Sequence, residues 1–374
     1  NSTYHNLDAE SSDYQLNGNA SFVSENRDAG VSLFMTHRKR DFFDANGDNF
    51  SEIPKIENNS VGANLFFNPT ENQKLEISLS NLNEYRFGGE MVDKPAYLNQ
   101  QSEERKHKIW LGSLDYQINF NDKKSSLITY AAWQNTDRTH YTGIFPETAP
   151  EIQNHLENPP YGVSDNETMQ GGLQFNYRLD HFLKGSNVLT VGSEYISDKI
   201  YDIIPSYNYL VDQHTKNLGS FLQSDWEILP SLNLLSGVRM DVHNLIARVI
   251  FSPRLALLYK LKETTQFRLS YGTGFRAPQA FDTDLHIAFA GGGVSRVIYD
   301  PNLKEERSKS WSASVNYDKA TENFIAGFTL EGFYTHLNNA FILENIGNDE
   351  FGEIFEKQNG DGATVQGITI ELRA

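Results

Sequence analysis

The chain alternates. In "KLEISLS" (74–80), Leu75, Ile77 and Leu79 fall on one side and Lys74, Glu76, Ser78 and Ser80 on the other. "GLQFNYRL" (172–179) sets Leu173, Phe175, Tyr177 and Leu179 against Gln174, Asn176 and Arg178. "QFRLSY" (266–271), "SASVNY" (312–317) and "GITIEL" (367–372) repeat the scheme. Successive side chains of a strand point to opposite faces, so each segment predicts a strand with one apolar and one polar face. Helical spacing is weak throughout, and the fold class read from the pattern is all-β.

The connections carry a second regularity, because short and long ones alternate. The short ones are "ENRD" (25–28), "NPTEN" (68–72), "NDKK" (121–124), "LKGS" (183–186), "ILPS" (228–231), "LKET" (261–264) and "KATEN" (319–323). They are rich in the residues that tight turns favour. Long connections fall near 41–57, 86–104, 138–167, 200–213, 277–305 and 339–362, with two lesser ones near 10–13 and 244–250. Tight turns at one end and long loops at the other are the layout of an antiparallel transmembrane β-barrel. The tracing gives about sixteen strands of roughly ten to fifteen residues. A soluble sandwich or propeller also alternates. Loops near thirty residues are uncommon in compact domains, however, and the polar face is dense in Gln, Arg, Glu, Lys and Asn, which suits a wet or plugged lumen.

Composition narrows the partners. The net charge of −17, from 32 basic and 49 acidic residues, argues against a nucleic-acid backbone as partner. The absence of cysteine excludes disulfides and thiolate metal sites. No run approaches the ~18 apolar residues of a membrane helix, which leaves strand spans open. The chain opens on Asn1 with no apolar leader, as expected of a mature form or a fragment. The aromatic stock of 24 Phe, 18 Tyr and 4 Trp serves a core or the girdles of a membrane barrel.

A resemblance enters at "SYGTGFRAPQAFDTDLH…YDPNLKEERSKSWSASVNY" (270–317). This stretch resembles the TonB-dependent receptors, ligand-gated transporters of the Gram-negative outer membrane. In that family a strand often ends in Gly-Phe-Arg-Ala-Pro, here residues 274–278. After a long extracellular loop comes Asn-Pro-(Asp/Asn)-Leu-Lys-Pro-Glu, here residues 300–306. Asp300 stands for the usual Asn and Glu305 for the usual Pro. "GVRMDVH" (237–243), "SPRLALLYK" (252–260) and "GATVQGITIEL" (362–372) are further matches. The resemblance is loose before residue 60 and good from about 160 onward.

The resemblance implies a barrel of twenty-two strands, of which residues 1–374 would supply about sixteen. The plug domain, the TonB-contacting segment and the last strands would lie outside. It makes 277–305 the seventh extracellular loop. It implies active import of a metal chelate (ferric siderophore, haem or cobalamin), driven by TonB, with outer-membrane lipid as surroundings and no enzyme activity. A passive or substrate-specific porin and an outer-membrane enzyme or adhesin are the competing readings. No Gly-x-Ser-x-Gly elbow, His-Glu-x-x-His or phosphate-binding glycine loop supports an enzyme.

Candidate ligand contacts follow from the same loop. In the haem receptors of the family a His between the two motifs is an axial iron ligand, a place His286 occupies here. The alternative is an imidazole bonded to Asp282 and Asp284, two acids that would repel haem propionates. Phe289, Arg296 and Tyr299 lie in the apolar, glycine-rich remainder of the loop and are available to a ligand. Arg276 reads as a packing or ion-pair cation at the strand exit, or as a partner for plug acids. In the fourth long loop Tyr141, Phe145 and Tyr161 are further available aromatics. The stretch "DFFDANGDNFSE" (41–52) closely spaces Asp41, Asp44, Asn46, Asp48 and Glu52, and clustered oxygens suit Ca²⁺. Gly47 comes too early for an EF-hand loop. Some cobalamin receptors of the family bind Ca²⁺ in such loops, and the alternative is a solvated Asp/Asn turn. No other cofactor is required.

Overall fold

The computed structural model describes residues 1–8, 10–280, 294–320 and 324–373. Its first strands are β1 (Ser2–Leu7), β2 (Ser11–Val23), β3 (Ala29–Arg40), β4 (Lys55–Phe67), β5 (Gln73–Gly89), β6 (Gln101–Phe120) and β7 (Ser125–Ile144). After helix α1 (Ala149–Glu157) come β8 (Gly162–Leu179), β9 (Ser186–Ile204), β10 (Tyr209–Leu229), β11 (Leu232–His243), β12 (Ile250–Leu261) and β13 (Thr265–Arg276). The last are β14 (Val294–Tyr299), β15 (Glu306–Ala320), β16 (Ile325–Asn338), β17 (Phe341–Asp349), β18 (Gly352–Asn359) and β19 (Ala363–Arg373).

Sixteen of these form one sheet, each strand antiparallel to its chain neighbour, in the order β1 to β13, then β15, β16 and β19. Strands β14, β18 and β17 form a separate three-stranded sheet at the long-loop end. Among the described residues no helix is long and apolar enough to cross a membrane.

Register carries the alternation across the whole sheet. Leu257, Leu269, Ala313, Gly332 and Ile368 stand in one row across five strands. Their neighbours one residue on or back, among them Ser270 and Ser312, face the other way and share a hydrogen bond of 2.7 Å. The apolar face is open: Leu173 is 53% exposed, Leu222 55% and Leu269 50%. A soluble sheet would cover such a face, so this one is built for lipid. Aromatic pairs mark its two borders. Tyr259–Phe267 and Tyr317–Phe328, with ring centroids 6.3 and 5.8 Å apart, lie by the tight turns, and Tyr271–Trp311, at 4.3 Å, lies toward the long loops.

On the polar face several rings lie flat over a glycine of the next strand. A Cβ on Gly62, Gly192 or Gly172 would come within 2.3, 2.4 and 2.8 Å of the rings of Phe34, Phe221 and Tyr130. The missing side chain lets a bulky residue hug the wall instead of blocking the lumen.

Two expectations need correction. Strands β5 to β10 run to 17–21 residues, well beyond ten to fifteen. A tilted strand crosses a bilayer in about ten residues, so the surplus stands above the membrane, where polar and aromatic residues continue the ladder. The connections shrink accordingly: 86–104 contracts to 90–100, 138–167 to 145–161 and 200–213 to 205–208. The lesser connection expected near 10–13 comes earlier, since β2 already begins at Ser11. Within 277–305 and 339–362, chain read as loop supplies β14, β17 and β18.

Candidate functional site

The long-loop end gathers the groups with chemistry. The two largest loops meet there, because β14 of one pairs in parallel with β18 of the other, with Tyr299 opposite Lys357. The chain leaves β14 of this small sheet through an Asx turn. Asp300 accepts the backbone N–H of Asn302 at 2.8 Å and donates its own N–H to the Lys357 carbonyl at 3.1 Å. An aspartate thus serves where the family's asparagine would. The second departure is also accommodated: buried Glu305 accepts two bonds from Arg248 of the β11–β12 loop, at 3.1 and 2.6 Å.

Of the anticipated ligand contacts, Arg276, Arg296 and Tyr299 come together at this end, and His286 and Phe289 lie outside the described residues. Arg296 is largely buried, ion-paired with Asp349, 5.3 Å over the Phe351 ring and bonded to the Tyr207 carbonyl at 3.4 Å. Arg276 lies 3.7 Å from Glu306 and 5.5 Å over Phe341. Lys357, buried at 4% exposure, reaches the rings of Phe341 and Tyr299 at 5.4 and 5.8 Å. The result is a layer of three cations interleaved with aromatic rings. It rests on an apolar cluster of Ile200, Ile204, Tyr209 and Val211 at the tops of β9 and β10, joined by Ala280 from beyond the end of β13. Burial pushes the Tyr207 phenol up to about 12, so that ring stays neutral.

Sequence reasoning missed Lys357, Arg248, Tyr207 and Phe351. Each becomes part of the site only through a loop–loop contact, and no spacing encodes that.

Tyr141 and Tyr161 do not line this layer. They pack with Phe42, Tyr85, Phe87 and Tyr97 on the apolar-face side above the membrane band, beneath α1, whose His155 meets the Tyr97 carbonyl at 2.7 Å. Phe145 joins them, its ring centroid 5.5 Å from that of His155. Burial, then the Glu104 carboxylate, raise the Tyr161 phenol above its ordinary value.

In the β3–β4 loop the carboxylate oxygens of Asp44, Asp48 and Glu52 lie within 4.8 Å of one another. Backbone donors already hold them. Asp44 accepts the N–H groups of Asn46, Gly47 and Asn49 at 3.1, 2.7 and 2.8 Å. Asp48 accepts that of Phe50 at 2.8 Å, and Glu52 that of Ala45 at 2.7 Å. The Asn46 amide oxygen is taken by the Asp48 N–H at 2.9 Å. Partial burial works to raise the Asp44 carboxyl. The amides of Gly47, Asn49, Asn46 and Asp48 outweigh it and hold the group below its ordinary value. Asp41 stands apart, accepting from the Ser12 hydroxyl at 2.9 Å. A cleft of about 590 Å³ opens beside the turn, lined by Asp48, Phe50, Pro54, Glu103 and Thr142.

Ser164, His140 and Asp202 form a serine–histidine–aspartate grouping. Ser164 donates to Asp202, and His140 Nε2 meets the same carboxylate oxygen at 3.1 Å. Arg138 donates to the Ser164 oxygen at 3.0 Å. A hydrolase needs the serine hydroxyl on the imidazole, which here is turned to the acid, and Ser164 is 1% exposed. The group is a buried brace between β7, β8 and β9.

Comparison with known proteins agrees with this architecture. A family profile described as "TonB dependent receptor-like, beta-barrel" matches residues 58–374. The siderophore receptor PirA from Pseudomonas aeruginosa superposes with a TM-score of 0.74 at 16% identity, covering 99% of this chain and 61% of its own. A point mutant of the ferric enterobactin receptor PfeA from the same organism gives 0.72 at 15% identity, covering 99% and 59%. The outer membrane transporter YddB from Escherichia coli gives 0.66 at 11%, covering 97% and 52%. The chain therefore spans about three fifths of the PirA and PfeA chains, and at these identities the likeness concerns the fold. With the profile matching most of its length, the chain belongs to the TonB-dependent receptor family, as part of its β-barrel, and resides in the Gram-negative outer membrane.

Proposed function

We propose that the protein takes part in active import of an iron chelate across the outer membrane, with energy delivered through TonB. The observation that carries this reading is the cation–aromatic layer of Arg276, Arg296 and Lys357 at the loop end of a sheet whose polar face offers a hydrophilic path. Loops capture the chelate, a domain within the lumen responds, and the polar wall lines the passage. Arginine forks hold planar anionic oxygens and aromatic rings cover the organic shell, which fits a siderophore; PirA is a siderophore receptor and PfeA a ferric enterobactin receptor. The reading assigns no catalytic step.

The test is uptake of radiolabelled iron by cells making the full-length protein, with and without TonB. Accumulation that needs both supports import. Equal accumulation without TonB would point to passive diffusion. A haem titration of the full-length receptor, wild type beside His286→Ala, decides the haem branch. A Soret shift lost in the variant makes His286 an axial ligand, and no shift in either protein removes haem.

The Asp44 turn is proposed to take Ca²⁺ through Asp44, Asp48 and Glu52, three carboxylates close enough to gain from a shared cation. Calcium that leaves the thermal midpoint unchanged against EDTA would leave the backbone amides as its whole support.

A further inference from the structure

The upper strands sort their cations by face. In "HRKR" (37–40) and "ERKHK" (104–108) arginine and lysine alternate. Register extends the sorting across β3 to β7. Arg40, Arg86 and Arg105 fall in one row of the polar face, and Arg38 and Arg138 in the row below. Lys39, Lys55, Lys106 and Lys108 all fall on the opposite face, above the apolar band. In these two inner rows every permanent cation is an arginine.

The geometry points to an anion-recognition shelf inside the mouth, made by Arg38, Arg40, Arg86, Arg105 and Arg138, that selects a chelate bearing ionised carboxylate or catecholate oxygens over neutral chelates. Lysine would supply the same charge. A guanidinium adds a planar fork that matches two oxygens at once, and it sheds water more readily. With strands about 4.8 Å apart, the shelf is roughly 19 Å wide, enough for a chelate to touch several forks.

Acids are present, and they hold the arginines from behind. Asp13 takes two bonds from Arg38, at 3.0 and 2.6 Å, and its side chain is 11% exposed against 37% for the arginine. Glu84 lies 3.4 Å from Arg86, with 20% against 47%. Arg40 donates to the Pro54 carbonyl, at 3.1 and 3.0 Å. Glu103 is the exception, more exposed than Arg105, which it meets at 2.6 Å. Arg138 is tied into the Ser164–Asp202 brace and anchors the edge of the shelf.

This inference rests on the import reading and names its substrate class. The experiment uses full-length receptor in detergent, titrated by fluorescence quenching with a ferric tris-catecholate, ferric citrate, a neutral ferric hydroxamate and cobalamin. The expected result is binding of an anionic chelate, weakened by salt. Arg86→Gln with Arg105→Gln then lowers its affinity about tenfold or more. The Lys pair at both positions, which keeps charge and loses the fork, gives a smaller loss. Both sites are partly exposed, so the variants are expected to fold, which their heat-modified gel mobility checks. Preference for a neutral chelate, or unchanged anionic affinity in the Gln pair, overturns the inference and leaves import standing. If the wild type binds none of these and its cells gain no iron, the import reading falls and the inference with it.

Discussion

The membrane band and the mouth belong to the same strands and are held by different physics. In the band a residue's role follows from its parity. Leu173 and Leu269 are exposed on the apolar face, while Gln174 beside the one and Arg268 and Ser270 beside the other turn to the polar face. In the mouth parity places a side chain on a face but not its partner. Arg248 meets Glu305, and Arg296 meets Asp349 and Phe351, only because separate loops converge. The band gains from solvent transfer, residue by residue. The mouth gains from pairs that exist once the loops have met.

The strongest way to break this contrast is a charge in the band. Leu269→Arg is expected to cost about 2–4 kcal/mol near the bilayer middle, while Ser270→Arg, one residue on and facing the lumen, costs far less. Urea midpoints of full-length protein folded into lipid vesicles would compare them; equal losses would remove the facial assignment.

A smaller effect is expected where the wall is glycine. Gly192→Val drives a Cβ into the Phe221 ring, 2.4 Å away, and is expected to cost about 1–3 kcal/mol by overpacking. Adding Phe221→Ala should recover part of that loss in the same unfolding assay. No recovery would mean that the ring does not lie over the glycine.

The mouth should yield less again. Arg248→Ala leaves Glu305 buried without its cation, yet Arg248 is 71% exposed, so solvent discounts the pair to about 1 kcal/mol. Glu305→Gln in the same background should restore most of it, and a double-mutant cycle reads the coupling.

The smallest effect is local. The Asp44 carboxyl is held below its ordinary value of 3.8, so its support of the turn is present above that pH and is lost as pH falls through the lowered value. Amide exchange at Gly47 and Asn49 should therefore quicken only below about pH 4 once intrinsic rates are removed. Asp44→Asn should show the faster exchange at neutral pH. Unchanged exchange in the variant would take the Asp44 carboxylate out of the turn.

These differences follow what was legible beforehand. Phe267, Leu269 and Tyr271 announced an apolar-faced strand, and the tight turns "NPTEN", "NDKK" and "ILPS" stand where their composition placed them. The motif at 274–278 marked a strand end, and β13 closes at Arg276. Strand length was underestimated, since above the membrane neither face needs to be apolar and the alternation that reveals a strand fades. The strands β14, β17 and β18 of the small sheet escape the pattern for the same reason. The acids of the Asp44 turn were visible as a cluster, while the backbone amides that hold them depend on chain geometry.

By itself the sequence determined the class of structure, the antiparallel run of the wall strands, which face meets lipid and where the tight turns fall. Period-two alternation and turn chemistry are local, and local patterns survive in a linear text. Only the tertiary structure decided which loops pair, which acid stands behind which arginine, and that arginine and lysine part company across the wall. Those facts depend on register between strands far apart in the chain, where a shift of one residue would exchange the two faces.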